Sequence, residues 1–229
     1  MKKMKFAAVL LSVSLLFSGC NWSNLGKGAA IGGGSGAAVG AGVGALIGKG
    51  DDKGKAAGIG AAIGSVVGAG VGMLIGKKMD DAAKKAAEIE GAAVEEVTDV
   101  NGLQAVKVTF ESGILFAFNS STLSTKSKES LKEFSNILIE NPTMNVNIYG
   151  HTDKVGTEAA NLKVSQQRAD AVAKYLKSCG VTDKQMTEIL GLGYSEYNEA
   201  LSADENRRVE IYLFASEEMI EEAENGTLK

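Results

Sequence analysis

A glycine at every fourth position is the feature that most limits how this chain can fold. Six glycines follow this spacing from Gly28 to Gly48, and five more follow it from Gly60 to Gly76. Residues 28–48 and 56–76 are each 21 residues long and carry no charged side chain. A helix of that length spans roughly the 30 Å of a hydrocarbon core. In water such a helix should fail, because each interior glycine costs about 1 kcal/mol relative to alanine.

The two glycine segments are copies of one unit. Residues 40–49 recur with one substitution as residues 68–77, and the polar stretch 49–55 suits an exposed turn. A row of glycines lets a second helix approach until the two backbones touch. We therefore predict a glycine-zipper helical hairpin over 28–76, which spans the membrane, lies against it or packs with other copies as a homo-oligomer. The alternative is a flexible Gly/Ala linker, although a linker needs no four-residue period.

The start of the chain has the features of an exported protein. Residues 1–19 combine a basic start with the apolar run of a signal peptide. The run ends in Leu16-Phe-Ser-Gly-Cys20, which resembles a bacterial lipobox. The resemblance implies cleavage before Cys20, fatty chains such as palmitate on that residue, and a lipidated N terminus over 20–27. Asn21, where aspartate would retain the protein in the inner membrane, implies the outer membrane. A buried cysteine ending an ordinary signal is the alternative.

Composition argues against several classes of function. The net charge of −4 disfavours a nucleic-acid partner. One histidine and two cysteines provide no metal-ligand constellation, so we expect no metal and no cofactor. A cell-wall hydrolase would need a paired acid and nucleophile or a metal, and the sequence offers neither. The chain is therefore not expected to be an enzyme.

Residues after the hairpin divide into a linker, a domain and a tail. Residues 77–92 mix charged residues with alanines, which predicts a solvated helical linker. Composition changes near residue 93, and we place one domain over 93–215. Residues 216–229 are acidic and are expected to be a solvated tail.

Within the domain, the hydrophobic pattern predicts strands and amphipathic helices in alternation. Two strands flank an Asn101-Gly102 turn, a hairpin signal. The predicted strands are 94–98, 104–110, 114–118, 144–149, 186–192 and 208–214, and the predicted helices run from Ser124 to Asn141 and from Glu158 to Lys177. The order β-α-β-α-β-β predicts an α+β sandwich with helices on one face of a mixed sheet.

The side chains suited to ligand binding lie around the loop 150–156. Asp153 precedes a helix on which Asn161 and Arg168 share one face. A carboxylate accepts hydrogen bonds from an ammonium, and a guanidinium grips a carboxylate with its planar fork. A ligand with an amine and a carboxylate on one carbon would satisfy both groups. A direct Asp153–Arg168 salt bridge is the structural alternative.

Three motifs resemble, in order and spacing, the C-terminal domain of the OmpA-like family. They are residues 147–156, 161–169 and 206–211, and the resemblance covers about 104 to 214. It implies a domain that binds peptidoglycan. With the signal, lipobox and glycine zipper, the chain also resembles the YiaD-type outer-membrane lipoproteins.

The resemblance also implies residue roles. The ligand would be the diaminopimelate of a peptidoglycan stem, with its ammonium on Asp153 and its carboxylate on Arg168. The other residues of the implied cleft are Asn161, Thr152, Phe118, Asn119 and Arg207. Arg207 would close the far side, or bridge to a carboxylate of the sheet. His151 is expected to support Asp153, and Arg208 and Glu210 to face solvent or pair across strands.

These observations predict a lipid-anchored outer-membrane protein whose periplasmic domain tethers the membrane to the cell wall without cutting it. Its partners would be peptidoglycan and outer-membrane lipid. The alternative makes the glycine zipper the functional part. In that case an oligomeric membrane element permeabilises or stiffens the outer membrane, and wall binding only positions it.

Overall fold

The computed structural model describes residues 69–99, 102–116 and 120–228. The signal peptide, Cys20, most of the predicted hairpin, Phe118 and Asn119 lie outside the described residues. The strands are β1 (Ala92–Thr98), β2 (Gln104–Glu111), β3 (Met144–His151), β4 (Met186–Gly193) and β5 (Arg208–Ala215). The helices are α1 (Ala69–Ala87), α2 (Ser112–Leu115), α3 (Thr125–Glu140), α4 (Glu158–Ser178), α5 (Ala203–Asn206) and α6 (Glu217–Glu224), with a 3-10 turn at Asp183–Gln185.

The five strands form one mixed sheet in the order β1-β2-β5-β3-β4. The hairpin around Gly102 is confirmed, with β1 antiparallel to β2. β5 lies antiparallel between β2 and β3, and β3 is parallel to β4. The parallel pair requires a crossover, which α4 supplies. The mixed α+β fold predicted from the sequence is confirmed.

One face of this sheet is apolar and carries the helices. The register aligns Val106 with Leu213 and Val146 across three strands, and aligns Val108 with Ile211 and Ile148 one pair further along. All of these side chains are buried in one core cluster. α1 packs over β1 and β2, and α4 packs over β3 and β4. The fold is therefore a two-layer sandwich.

The prediction of a solvated linker helix is wrong for one face of α1. Within the predicted linker, Met79 and Ala86 are fully buried, and Gly72, Ile75 and Gly76 of the predicted hairpin are buried with them. Lys77 and Lys84 on the same helix are exposed, which explains the charged pattern of the sequence. The last two turns of the glycine repeat therefore belong to the packed domain. No helix in the described ranges is both long and apolar enough to cross a membrane.

Two methionines of α1 test this correction. We expect Met79→Ala to lower the free energy of unfolding by about 3 kcal/mol, because it removes a fully buried side chain from the core. Met73→Ala on the same helix is the matched control. Met73 is 39% exposed, so its loss should change stability by about 0.5 kcal/mol or less. Chemical denaturation measures both, and equal effects would show that α1 does not pack as described.

Two further expectations need correction. The acidic tail is not simply solvated, because α6 buries Met219, Ile220 and Ala223 and packs against α1.

The predicted strand 114–118 begins instead with α2, a single helical turn. The Ser112 backbone N–H still donates to the Arg207 carbonyl, next to the last paired residues of β2 and β5. The chain turns into α2 from Ser112 onward. Leu115 is buried in this turn, and Phe116 just after it is buried in an extended conformation that bridges to Leu123. Residues 117 and 118 of the predicted strand lie outside the described residues.

Candidate functional site

A cleft opens at one end of the sheet, where β2 and β3 end and β5 begins. Because β3 and β5 are antiparallel, the residues after β3 lie beside those before β5. Asp153 lies two residues after β3, and Arg207 lies one residue before β5. Arg168 reaches the same place from α4. The topology thus joins three parts of the chain that are distant in sequence.

The cleft has a volume of about 600 Å³ and contains every described residue that the sequence predicted for the site. These are Thr152, Asp153, Asn161, Arg168 and Arg207. The two other predicted residues, Phe118 and Asn119, lie outside the described residues, so their placement stays a prediction. The cleft also includes residues that were not predicted, namely Ser112, Gly113, Phe116, Val155, Ala160 and Val164.

Asp153 is held by its own loop and by Arg207. Its Oδ1 accepts a hydrogen bond of 3.0 Å from the Val155 backbone N–H. Its Oδ2 lies 2.5 Å from a terminal nitrogen of Arg207, whose other terminal nitrogen pairs with Asp204. Arg207 therefore bridges two carboxylates that lie off the sheet, and it does not pair with a sheet carboxylate.

The guanidinium of Arg168 lies in the cleft without a carboxylate partner among the described residues. It is 3.4 Å from the Ser112 hydroxyl and 3.4 Å from the Ser120 carbonyl, both long for charged hydrogen bonds. Its carbon Cζ lies 5.4 Å from the centre of the Phe116 ring, a cation–π contact. The direct Asp153–Arg168 salt bridge is not formed, because Asp153 pairs with Arg207.

Burial and a like charge both act on Arg168. Burial lowers the pKa of its guanidinium, the positive charge of Arg207 lowers that pKa further, and Asp153 partly opposes them. A guanidinium nevertheless stays protonated in proteins. Arg168 is only 8% exposed, so this charge is largely removed from water. An anion entering the cleft would meet a desolvated positive group that lacks an anionic partner.

Two neutral side chains complete this end of the cleft. The hydroxyl oxygen of Thr152 is buried and has no hydrogen-bond partner among the described residues. Asn161 donates from Nδ2 to the Val155 carbonyl at 3.1 Å and so fixes the loop that carries Asp153. The Thr157 hydroxyl accepts from the Ala160 backbone N–H and caps α4. Thr152 thus lines the cleft with a buried hydroxyl, whereas Asn161 positions the loop.

Arg207 is oriented by a closed loop before β5. The side chain of Asn206 is fully buried, and its Nδ2 donates to the carbonyls of Asn198, Leu201 and Ser202. Its Oδ1 accepts from the Asn198 backbone N–H at 2.8 Å. Asn206 is the first residue of the sequence motif 206–211, but the sequence alone indicated no role for it. Its hydrogen bonds fix the backbone that points Arg207 into the cleft.

His151 lies behind the cleft loop and faces Glu210, so the expectation that it supports Asp153 directly is wrong. Its Nε2 lies 3.5 Å from Oε2 of Glu210, and its Nδ1 lies 4.0 Å from Oε2 of Glu196. Arg208 donates to Oε1 of Glu210 at 2.7 Å. Arg208 and Glu210 are both buried, so the expectation that they face solvent is wrong. Glu210 does face a neighbouring strand, because His151 lies on β3 and Glu210 on β5.

Glu210 belongs to a group of ionisable side chains that includes His151 and Arg208. Burial acts to raise the pKa of Glu210, but interaction with His151 and Arg208 outweighs it and holds that pKa well below its ordinary value. His151, Glu196 and Glu210 offer ligand atoms within 4.8 Å of one another and could in principle hold a metal ion. Arg208 already pairs with Glu210, which is the more deeply buried of the two carboxylates. The expectation of no metal site stays a prediction.

The unpredicted cleft residues were hidden for identifiable reasons. Ser112 begins α2 and Phe116 directly follows it, in a region where the sequence pattern predicted a strand over 114–118. Val155 and Val164 are exposed apolar residues without a charged or hydrogen-bonding side chain that would mark them as ligand contacts. The one available signal was position, because Val155 follows Asp153 by two residues and Val164 precedes Arg168 by one helical turn.

Comparison with known proteins agrees with this architecture. Residues 115–212 match the OmpA family, and residues 1–80 match the YMGG-like Gly-zipper family. YiaD of Escherichia coli (strain K12) is 36% identical over 104 residues, covering 44% of this chain and 47% of YiaD. The Peptidoglycan-associated lipoprotein of Legionella pneumophila is 36% identical over 107 residues, covering 44% of this chain and 60% of that protein.

The chain thus spans less than two thirds of these curated relatives. Among solved structures, a putative MotB like protein from Desulfovibrio vulgaris superposes with a TM-score of 0.52 at 24% identity, covering 62% of this chain and 94% of that one. At this identity the likeness concerns the fold alone. The domain that carries the cleft is thus similar to the OmpA family over residues 115–212, and the N-terminal part is similar to the YMGG-like Gly-zipper family over residues 1–80.

Proposed function

We propose that the domain binds peptidoglycan non-covalently, through the free end of diaminopimelate in the stem peptide, and so holds an outer-membrane lipoprotein to the cell wall. One observation carries this proposal. The guanidinium of Arg168 is buried in an open cleft and lacks a carboxylate partner among the described residues. A buried charge left without a partner is costly, so such a site favours a ligand that supplies the opposite charge.

The remaining groups of the cleft match a zwitterion better than a simple anion. Arg168 can take the carboxylate with two parallel hydrogen bonds. Asp153 keeps lone pairs beyond those used by Val155 and Arg207, so it can accept a hydrogen bond from the adjacent ammonium. Thr152 lies next to Asp153 and lines the same cleft. Diaminopimelate carries such an amine and carboxylate on one carbon.

The relatives support the choice of polymer and compartment. One relative is named for its association with peptidoglycan, and another is named Outer membrane protein P5. The lipobox at Cys20 and the glycine zipper would supply the membrane attachment, through fatty chains and a packed hairpin. The chain would act as a tether and not as a hydrolase.

The proposed contact is weak at a single site and strong when repeated. A hydrogen bond to a charged group contributes about 1.5 to 3 kcal/mol, so the Asp153 and Arg168 contacts alone support only weak binding. The cell wall presents many stems on one polymer, and many copies of the lipoprotein share one membrane. Such multivalency raises the effective affinity without any new contact.

Competition on isolated sacculi tests the proposal. The purified chain should pellet with sacculi, and free meso-diaminopimelate should displace it. Two matched compounds serve as controls: pimelate lacks the amines, and 1,5-diaminopentane lacks the carboxylates. Neither should displace the protein at the same concentration, because each engages only one of the two charged residues. Equal displacement by either control would contradict recognition of a zwitterion, and release of soluble fragments would favour a hydrolase.

A further inference from the structure

Two exposed valines line the same cleft as the charged residues. In the described part of the chain, the exposed large apolar side chains are Met73, Leu74, Ile139, Val155 and Val164. Val155 is 78% exposed and Val164 is 37% exposed, and both line the cleft. Single exposed apolar residues are common on protein surfaces. Two on the wall of one cleft form a shared apolar surface beside a charged end.

The backbone holds both valines in place. The N–H of Val155 donates to Asp153, and its carbonyl accepts from the side chain of Asn161, so its peptide groups are fixed on both sides. On α4, Ala160, Val164 and Arg168 follow one another at intervals of four residues and therefore share a face. The apolar surface of Val155, Ala160 and Val164, here called the apolar wall, thus leads directly to the guanidinium.

We infer that the apolar wall binds the aliphatic chain that follows the zwitterionic end of the ligand. This inference rests on the proposed function and adds a specificity to it. In diaminopimelate, the carbon that bears the free amine and carboxylate continues into three methylene groups before the peptide. With the charged end on Asp153 and Arg168, this chain runs along the wall and leaves water. The cleft therefore recognises the length of the chain as well as the charges.

The expected discrimination follows from the area removed from water. Each buried methylene group strengthens binding by about fourfold. Glycine offers the same amine and carboxylate without a chain, and norvaline adds a three-carbon chain to it. At about fourfold for each carbon, full burial of the three-carbon chain would favour norvaline over glycine by roughly 50-fold or more. Because the wall covers one side only, we expect norvaline to be favoured by about tenfold.

The test measures the concentrations of glycine, norvaline and meso-diaminopimelate that displace half of the full chain from sacculi. In the wild-type protein, norvaline should act at about one tenth of the glycine concentration. The double variant Val155→Ser and Val164→Ser should reduce this ratio to about two, because the wall becomes polar. Both side chains are exposed, so the variant should fold. Ile139→Ser is the matched control, since Ile139 is 46% exposed on α3 and does not line the cleft.

The outcomes separate this inference from the function on which it rests. Equal displacement by glycine and norvaline in the wild type would overturn the apolar wall while leaving recognition of the charged end intact. An unchanged ratio in the double valine variant, or an equal loss in Ile139→Ser, would overturn it as well. If the wild type does not pellet, or no zwitterion displaces it, the proposed function fails and the inference fails with it.

Discussion

Arg168→Ala is expected to weaken binding to diaminopimelate at least 100-fold and to abolish pelleting with sacculi. The variant removes the charged group of the cleft that has no carboxylate partner among the described residues, and with it both hydrogen bonds to the ligand carboxylate. Two charge-assisted hydrogen bonds together contribute about 3 kcal/mol or more, which corresponds to a factor of at least 100. Isothermal titration with meso-diaminopimelate measures the affinity.

Two variants make this result specific. Arg168→Lys keeps the positive charge but loses the planar fork, so binding should fall to an intermediate level. Lys163→Ala, at an exposed position of the same helix, should bind like the wild type. We expect Arg168→Ala to remain folded, since its guanidinium makes only long hydrogen bonds in the free protein. Wild-type binding by a folded Arg168→Ala variant would remove the basis of the proposed function.

Asp153 should behave differently from Arg168 because Arg207 already pairs with it. Removal of the carboxylate leaves Arg207 paired with Asp204 alone and takes one negative charge out of the cleft. The ligand ammonium would then face Arg168 and Arg207 without the carboxylate of Asp153 beside it. Loss of Asp153 should therefore turn the cleft from a site for zwitterions into a site for simple anions such as pimelate. The same competition assay would detect that change of preference.

Much of the site was predictable because its charged residues lie on, or next to, helices and strands that the sequence pattern identifies. Asp153 follows a recognisable strand, Arg168 lies on a recognisable helix, and Arg207 precedes the last strand. The pairing of Arg207 with Asp153 was not predictable, since it depends on the antiparallel register of β3 and β5. The role of Phe116 was hidden for a related reason, because an apolar run of five residues does not distinguish a strand from a buried helical turn.

The fold was predictable where hydrophobic period and capping signals agree, as in α3, which begins after Ser124. The Ser124 hydroxyl accepts from the Ser127 backbone N–H, as an N-cap residue should. The contribution of α1 to the core was not predictable, because its charged residues dominate the pattern and its buried face contains glycines and alanines. Small residues bury little area individually, so only their placement over β1 and β2 shows that they belong to the core.

Gly191→Ala is expected to lower the free energy of unfolding by about 3 kcal/mol or more. A Cβ atom at Gly191 would lie 2.2 Å from the backbone nitrogen of Gln166 and 2.6 Å from its Cα. A Cβ at Gly150, the residue paired with Gly191 across β3 and β4, would lie 2.2 Å from the Ser165 carbonyl oxygen. These neighbours are backbone atoms of α4, so the clash cannot be relieved by a side-chain rotation. Overpacking that moves a backbone costs about 1 to 3 kcal/mol or more.

The same clash should also weaken ligand binding. The two glycines let α4 lie directly on β3 and β4, and α4 carries both Asn161 and Arg168. Moving the helix outward separates Arg168 from the loop of Asp153, so a zwitterion of fixed size can no longer contact both. Gly70→Ala is the matched control, because no atom lies within 4 Å of its added Cβ and alanine favours a helix by about 1 kcal/mol. Urea denaturation of the two variants should therefore give shifts of opposite sign, and wild-type stability of Gly191→Ala would show that α4 does not pack this closely.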